Sequence, residues 1–183
     1  PGLQQENDFH FEFITPDDIQ GAIINFDGAA GYGHAPILQN CRLNVDYGDR
    51  IGIIGANGQG KTTLLKTLAG ELPLLSGKIH RHQKTKIGYF SQHQLDMLDP
   101  ESSPLEALMA IDPTIATSVA RKFLGRFQFS GDRVFDQVNH FSGGEKARLA
   151  LALLIYQKPN CLMLDEPTNH LDIQMREAFI LAL

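Results

Sequence analysis

Phe9, Phe11 and Phe13 recur at a period of two after a polar start over residues 1–8, the spacing of a strand with one buried face. Pro16-Asp17-Asp18 breaks that run. Residues 22–26 predict a second strand, 28–33 a glycine-rich loop, and 41–45 alternate again before the turn Tyr47-Gly48-Asp49. A small, largely antiparallel sheet is therefore expected over 1–50. Residues 51–54 form a short apolar strand interrupted only by Gly52, suited to a sheet covered on both faces. After a second glycine-rich loop, 61–69 predict a helix that stops at Gly70, and strands at 77–80 and 85–90 flank a basic turn at 81–84.

The pattern then turns helical. Ser103-Pro104-Leu105-Glu106 is a helix start, with Ser as N-cap, Pro at the first helical position and Glu reaching back. Asp112-Pro113 predicts a second start of the same kind. Residues 104–156 are mostly helical, 161–164 return to a buried strand, and 173–182 to a helix. The layout is an α/β core with a small sheet before it and a helical insertion within it.

Length and composition narrow the function classes. The 183 residues fit one domain of ordinary size, whole or truncated. Burial of about two-thirds of the unfolded surface removes any need for a disulfide or metal staple. Sixteen basic against 21 acidic residues leave a net charge of −5, which excludes a broad electrostatic grip on nucleic acid. Cys41 and Cys161 lack metal-ligand spacing, lie in apolar runs and are expected to be reduced and buried. No run approaches the ~18–20 apolar residues of a membrane span. The N-terminus carries no basic segment followed by an apolar one, so a cytoplasmic, soluble protein is expected.

Gly55-Ala56-Asn57-Gly58-Gln59-Gly60-Lys61-Thr62 follows the G-x-x-x-x-G-K-[ST] pattern between a strand and a helix. Glycines permit a tight loop whose backbone N–H groups point at phosphate oxygens, and the dipole of the helix after Gly60 adds positive potential. Lys61 is expected to reach the β- and γ-phosphates of ATP or GTP, the Thr62 hydroxyl to bind Mg²⁺, and Thr63 to complete the nucleotide contacts. The strand at 161–164 ends in Asp165-Glu166. Asp165 then lies at the carboxyl end of the sheet, where open α/β sheets bind ligands, and can hold Mg²⁺. Glu166 can polarise the water that attacks in line.

Phe141-Ser142-Gly143-Gly144-Glu145 precedes a long helix reaching Tyr156. Ser142 and Glu145 form a capping box, but two glycines in a first turn cost up to about 1 kcal/mol each relative to Ala. Their presence suggests that backbone must come very near something, and an open helix start of this kind is an anion site. With these motifs the chain resembles the nucleotide-binding domains of ABC ATPases, whose signature usually reads LSGGQ where this chain has FSGGE. The resemblance implies a P-loop NTPase, RecA-like, with a parallel sheet core, an N-terminal antiparallel subdomain at 1–50, a phosphate-loop part at 51–92, a helical subdomain at 93–156 and a Walker B part at 157–183. It also implies that Tyr32 stacks on adenine, that Gln92 touches Mg²⁺ and the attacking water, and that Asp172 belongs to the D-loop. Ser142, Gly143, Gly144 and Glu145 would act in trans on the γ-phosphate held by a second ATPase domain lying head to tail.

Glu166-Pro167-Thr168-Asn169-His170-Leu171-Asp172 is similar to the ABC-F branch, whose members are soluble ATPases acting on the ribosome and its tRNA. The motor subunit of a membrane transporter is the alternative, separated by Asn169-His170. The family's switch histidine lies some way past the catalytic glutamate, and His170 comes too early for it, so a fragment truncated at its C-terminus is expected. A basic cluster (Lys78, His80, Arg81, His82, Lys84 and Lys86) on the hairpin expected from the strands at 77–80 and 85–90 could touch RNA backbone or be a solvated edge. Phe123, Phe127, Phe129 and Phe135, with Met109 and Met163, are expected in the core.

Overall fold

The computed structural model describes residues 21–167 together with Leu171, Ile173, Arg176, Glu177 and Phe179. The strand expected at 9–13, the break at Pro16, Asn169, His170, Asp172 and most of the last helix lie outside them. The chain forms two compact units, a sheet unit built on residues 21–89 and 159–165, and a helical unit built on residues 90–158 and including Glu166.

In the sheet unit, β1 (Ala22–Tyr32) pairs antiparallel with β2 (Ala35–Asp46), and β3 (Ser76–Arg81) adds to the other edge of β1. The α1 helix (Lys61–Ala69) packs on this sheet and on β5 (Cys161–Leu164), which pairs with β4 (Ile87–Phe90). The core joins Ile24, Phe26 and Ala30 of β1 to Leu65 and Leu68 of α1, Tyr89 of β4, and Cys161 and Met163 of β5. Full burial of a side chain such as Ile24 or Phe26 contributes about 1.5–3 kcal/mol. Asn160 ties β4 to β5, taking the Lys86 N–H at 2.7 Å and donating to the Lys84 carbonyl at 2.7 Å. Residues 91–160 run between these two strands, the kind of long crossover that a parallel pair needs.

Three expectations for this unit change. The glycine-rich stretch 28–33 is not a loop, because β1 continues through it to Tyr32. Its glycines serve close approach: a Cβ on Gly28 would lie 2.2 Å from the Ser76 carbonyl oxygen, and one on Gly77 would lie 2.1 Å from that of Asp27. The strands on either side of the basic turn do not form a hairpin, since β3 joins β1 whereas β4 joins β5. Residues 51–54 form no strand and stay exposed, Ile54 at 97%, because no strand among the described residues pairs with them. The helix 61–69, its stop at Gly70 in the left-handed region, and the turn at Gly48 match expectation. Cys161 is buried, and burial pushes its thiol up; Cys41 is only half-buried, and both are free.

The helical unit contains α2 (Gln92–Asp96), α3 (Pro104–Ile111), α4 (Thr117–Gly125), 3-10 turns at Gly131–Phe135 and Val138–His140, and α5 (Gly143–Tyr156). Its α5 helix buries residues on several sides, from Ala147 and Leu149 to Leu154 and Ile155, as a central helix must. Around it lie Leu108, Leu124, Phe127, Phe129, Val134 and Val138, all fully buried. Phe123 packs 5.3 Å from Phe127. Phe135 departs from the expected core, half-exposed beneath the Arg121 guanidinium at 5.4 Å. Ser103 and Glu106 form the expected capping box on α3, an arrangement that contributes about 1 kcal/mol. Asp112 does not start a helix. It ends α3, and its carboxylate accepts the Thr114 N–H and the Tyr156 hydroxyl, so α4 begins only at Thr117.

Gly77 combines a φ of +95° with the 2.1 Å approach, so Gly77→Ala should destabilise by about 2 kcal/mol or more. Gly52→Ala, where a Cβ meets nothing within 4 Å, should stay within about 0.5 kcal/mol in the same urea titration.

Candidate functional site

The sheet unit assembles the phosphate loop. Gly58 and Gly60 take φ of 79° and 88°, the left-handed region that glycine enters without strain. A Cβ on Gly60 would also sit 2.8 Å from Ile37 Cγ2 and 3.1 Å from Leu38 Cδ2, so β2 presses directly on the end of the loop. Lys61 curls back over the loop, its Nζ donating to the Gly55 carbonyl at 2.8 Å and the Ala56 carbonyl at 2.9 Å. No side chain caps α1 at Gly60, and no acidic residue stands in its first turn, so its free amides and positive dipole end are left for an anion. Thr62 is exposed on that turn, whereas Thr63 is buried with its carbonyl taking the Thr67 hydroxyl at 2.8 Å. Gly55, Ala56, Asn57 and Gln59 are exposed around the mouth. Tyr32, 49% exposed, ends β1 opposite Ala35, on the hairpin end that carries Ile37 and Leu38 to Gly60.

Asp165 leaves the end of β5 beside α1 and accepts the Tyr89 hydroxyl on Oδ2 at 3.3 Å. Sequence reasoning does not find Tyr89; a tyrosine within an otherwise apolar strand is the only signal it gives. Among the described residues no cluster of three His, Cys, Asp or Glu side chains could hold a metal. Mg²⁺ at a phosphate site needs only one or two protein oxygens and takes the rest from phosphates and water. The Thr62 hydroxyl and the part-exposed Asp165 carboxylate fit this donor set.

The other sequence-derived residues belong to the helical unit. Gln92 opens α2 and donates to Asp96 at 3.4 Å. Glu166 is exposed with φ +49°, a strained backbone for a residue with a side chain. At the start of α5 the capping box is complete. The Ser142 N–H and hydroxyl both donate to Glu145 Oε2, at 2.8 and 2.9 Å, and the Glu145 N–H donates to Ser142 Oγ at 3.3 Å. Of the first-turn amides this occupies the N-cap and third positions and leaves those of Gly143 and Gly144. A Cβ on Gly143 would meet nothing within 4 Å, so the fold itself does not demand glycine there. Arg133, which the sequence does not reveal either, donates to Glu145 Oε1 from Nε at 3.2 Å and, more closely, from its second terminal nitrogen. Burial would raise the Glu145 carboxyl, but the Arg133 and Ser142 hydrogen bonds outweigh it and hold the pKa down at about 2.

A lysine-closed loop opening a helix, packed on a strand that ends in a carboxylate, defines a P-loop ATPase domain. Residues 38–169 match the family described as ABC transporter, and the chain belongs to that family. It is 47% identical to YheS of Escherichia coli K12 over 179 residues, covering 97% of this chain and 28% of that protein. It is 41% identical to ABC transporter F family member 3 of Arabidopsis thaliana, over 96% of this chain and 25% of that one. Against ATP-binding cassette sub-family F member 2 of Bos taurus it is 42% identical over 143 residues, or 78% of this chain and 23% of that protein. These identities are those of an ABC-F ATPase domain, and the chain spans about a quarter of the length of these relatives. Among solved structures, the dimeric ATP-binding cassette MJ0796 bound to ADP and Pi superposes with a TM-score of 0.72 at 21% identity, covering 87% of this chain and 81% of that one. An ATP-binding protein of ABC transporter type from Pyrococcus furiosus gives 0.67 at 22%, covering 87% and 82%. The expected P-loop NTPase fold is thus the observed one.

The depressed Glu145 carboxyl links stability to pH. Its folded value of about 2 lies below the ordinary 4.5, so its contribution is complete above 4.5 and is lost as pH falls toward 2. The difference in urea midpoint between the protein and its Glu145→Gln variant should therefore shrink between about pH 6 and about pH 3.

Proposed function

We propose that this chain is one ATPase domain of a cytoplasmic ABC-F protein that acts on the ribosome, with MgATP bound between two such domains lying head to tail. The observation that carries the two-domain site is the start of α5. Its two free amides sit on glycines, one of which has only open space around it. A donor pair facing outward is suited to an anion brought by another domain. The ribosomal role is supported by the identity to F-type relatives and by the Glu166-Pro167-Thr168-Asn169-His170 run. No helix among the described residues is long and apolar enough to cross a membrane, in keeping with that reading.

Within this reading Tyr32 stacks on the purine and does not discriminate ATP from GTP. Nucleotide binding exchanges the neutral carbonyl partners of Lys61 for β- and γ-phosphate oxygens, a stronger charge-assisted contact. Thr62 and Asp165 would hold Mg²⁺, which would supply neutralisation of phosphate charge. Glu166 accepts a proton from the attacking water, and Gln92 orients that water. Gly143 and Gly144 N–H groups, with Ser142, meet the γ-phosphate in trans, and donors aimed in this way contribute about 3–4 kcal/mol in other enzymes.

In the full-length protein, Glu166→Gln should bind MgATP but not turn it over, and should co-sediment with ribosomes more strongly with ATP than without. Sedimentation indifferent to ATP would remove the ribosomal role, and turnover at the parent rate would remove Glu166 as base. Lys61→Ala should weaken MgATP binding about 10-fold or more by calorimetry, the cost of a hydrogen bond to a charged group.

A further inference from the structure

FSGGE departs from the usual LSGGQ at two positions, Phe141 and Glu145. Both are the positions that Arg133 touches. Its guanidinium lies over the Phe141 ring at 4.6 Å and donates to Glu145 Oε1 from two nitrogens. Phe141 is itself fixed, buried and stacked on Phe129 at 5.5 Å. The remaining guanidinium nitrogen reaches Asp136 Oδ2 at 2.8 Å. The two carboxylate oxygens of Glu145 therefore have separate duties, Oε1 toward Arg133 and Oε2 toward the Ser142 N–H and hydroxyl.

A carboxylate in this place poses an electrostatic difficulty that glutamine does not. Glu145 is three residues from Ser142 and adjoins the two glycine amides, so its charge repels the same anion that those amides attract. Asp136 adds a second negative charge, but its carboxylate is 42% exposed and solvated, whereas that of Glu145 is 19% exposed. A guanidinium over an aromatic ring answers the difficulty at Oε1, while Oε2 serves Ser142.

We infer that Arg133 is the positioning residue of the signature turn, seated on Phe141 so that it compensates the charge of Glu145 and leaves the Gly143 and Gly144 amides able to take a phosphate. The inference rests on the two-domain reading above and assigns Arg133 no contact with nucleotide. A role confined to stability would make Arg133 important whatever stands at 145. Charge compensation makes it important only while 145 is a glutamate.

A double-variant cycle in the full-length protein separates the two, with steady-state ATP hydrolysis as the readout and MgATP affinity measured in parallel. Arg133→Met should lower kcat about 10-fold or more in the parent background, where like charges would face each other, and Arg133→Lys should restore most of it. In a Glu145→Gln background the same Arg133→Met change should cost less than about 2-fold. Equal losses in the two backgrounds, or no loss in either, would overturn the inference. Arg133→Gln provides the same comparison if the methionine variant does not fold. Gly143→Asp tests the underlying reading separately, and should abolish hydrolysis without affecting the fold, since its Cβ has open space. Full hydrolysis by Gly143→Asp would sink the trans site itself, whereas its loss alongside equal effects in both backgrounds would sink Arg133 alone.

Discussion

A helix cannot satisfy the amides of its own first turn, and the two important helix starts of this chain resolve that constraint in opposite ways. At α1, Gly60 offers no side chain to cap the helix, and no acidic residue stands in its first turn. At α5, Ser142 and Glu145 satisfy the outer donors and leave the inner two on glycines. One start is arranged to enclose a polyanion within its own unit. The other keeps its cap and third donors occupied and leaves two glycine amides. Both are consequences of which residue occupies the cap, and each unit's remaining architecture serves to hold its cap in place.

The supports differ in kind. The phosphate loop is held by apolar packing, with Ile37 and Leu38 filling the space that a side chain on Gly60 would need. The signature turn is held by polar and aromatic contacts from Arg133, which a 3-10 turn carries and Asp136 pairs with in turn. Polar support is directional, so the orientation of the Glu145 carboxylate is fixed more narrowly than packing alone would achieve. Asp165 stands between these cases, with its strand set by the core and one oxygen by the Tyr89 hydroxyl.

Much of this is legible in the sequence where the determining contacts are local. The α1 and α5 helices, both capping boxes and the stop at Gly70 depend on residues no more than a few positions apart. The misreadings share a cause. Gly28 punctuates nothing; it lets β3 approach, a reason visible only once Gly77 is beside it. The strands around the basic turn are neighbours in sequence and invite pairing with each other, yet their partners are Ala22–Tyr32 and Cys161–Leu164. Asp112-Pro113 has the form of a helix start, but Tyr156, 44 positions away, draws the carboxylate into ending one. Tyr89 and Arg133 are hidden for the same reason, since Tyr89 meets Asp165 across 76 positions and Arg133 meets Glu145 across 12.

Arg81 illustrates a further effect of tertiary contact on charge. It belongs to the basic cluster by sequence, but its guanidinium donates to the Leu68 carbonyl at 3.0 Å and the Thr67 carbonyl at 2.9 Å, at the far end of α1. A cation there quenches the negative pole of the helix, while the opposite pole, at Gly60, has no counter-charge from a side chain. β3 thus anchors the carboxyl end of the helix whose opposite end opens the glycine loop, without contributing a residue to that loop.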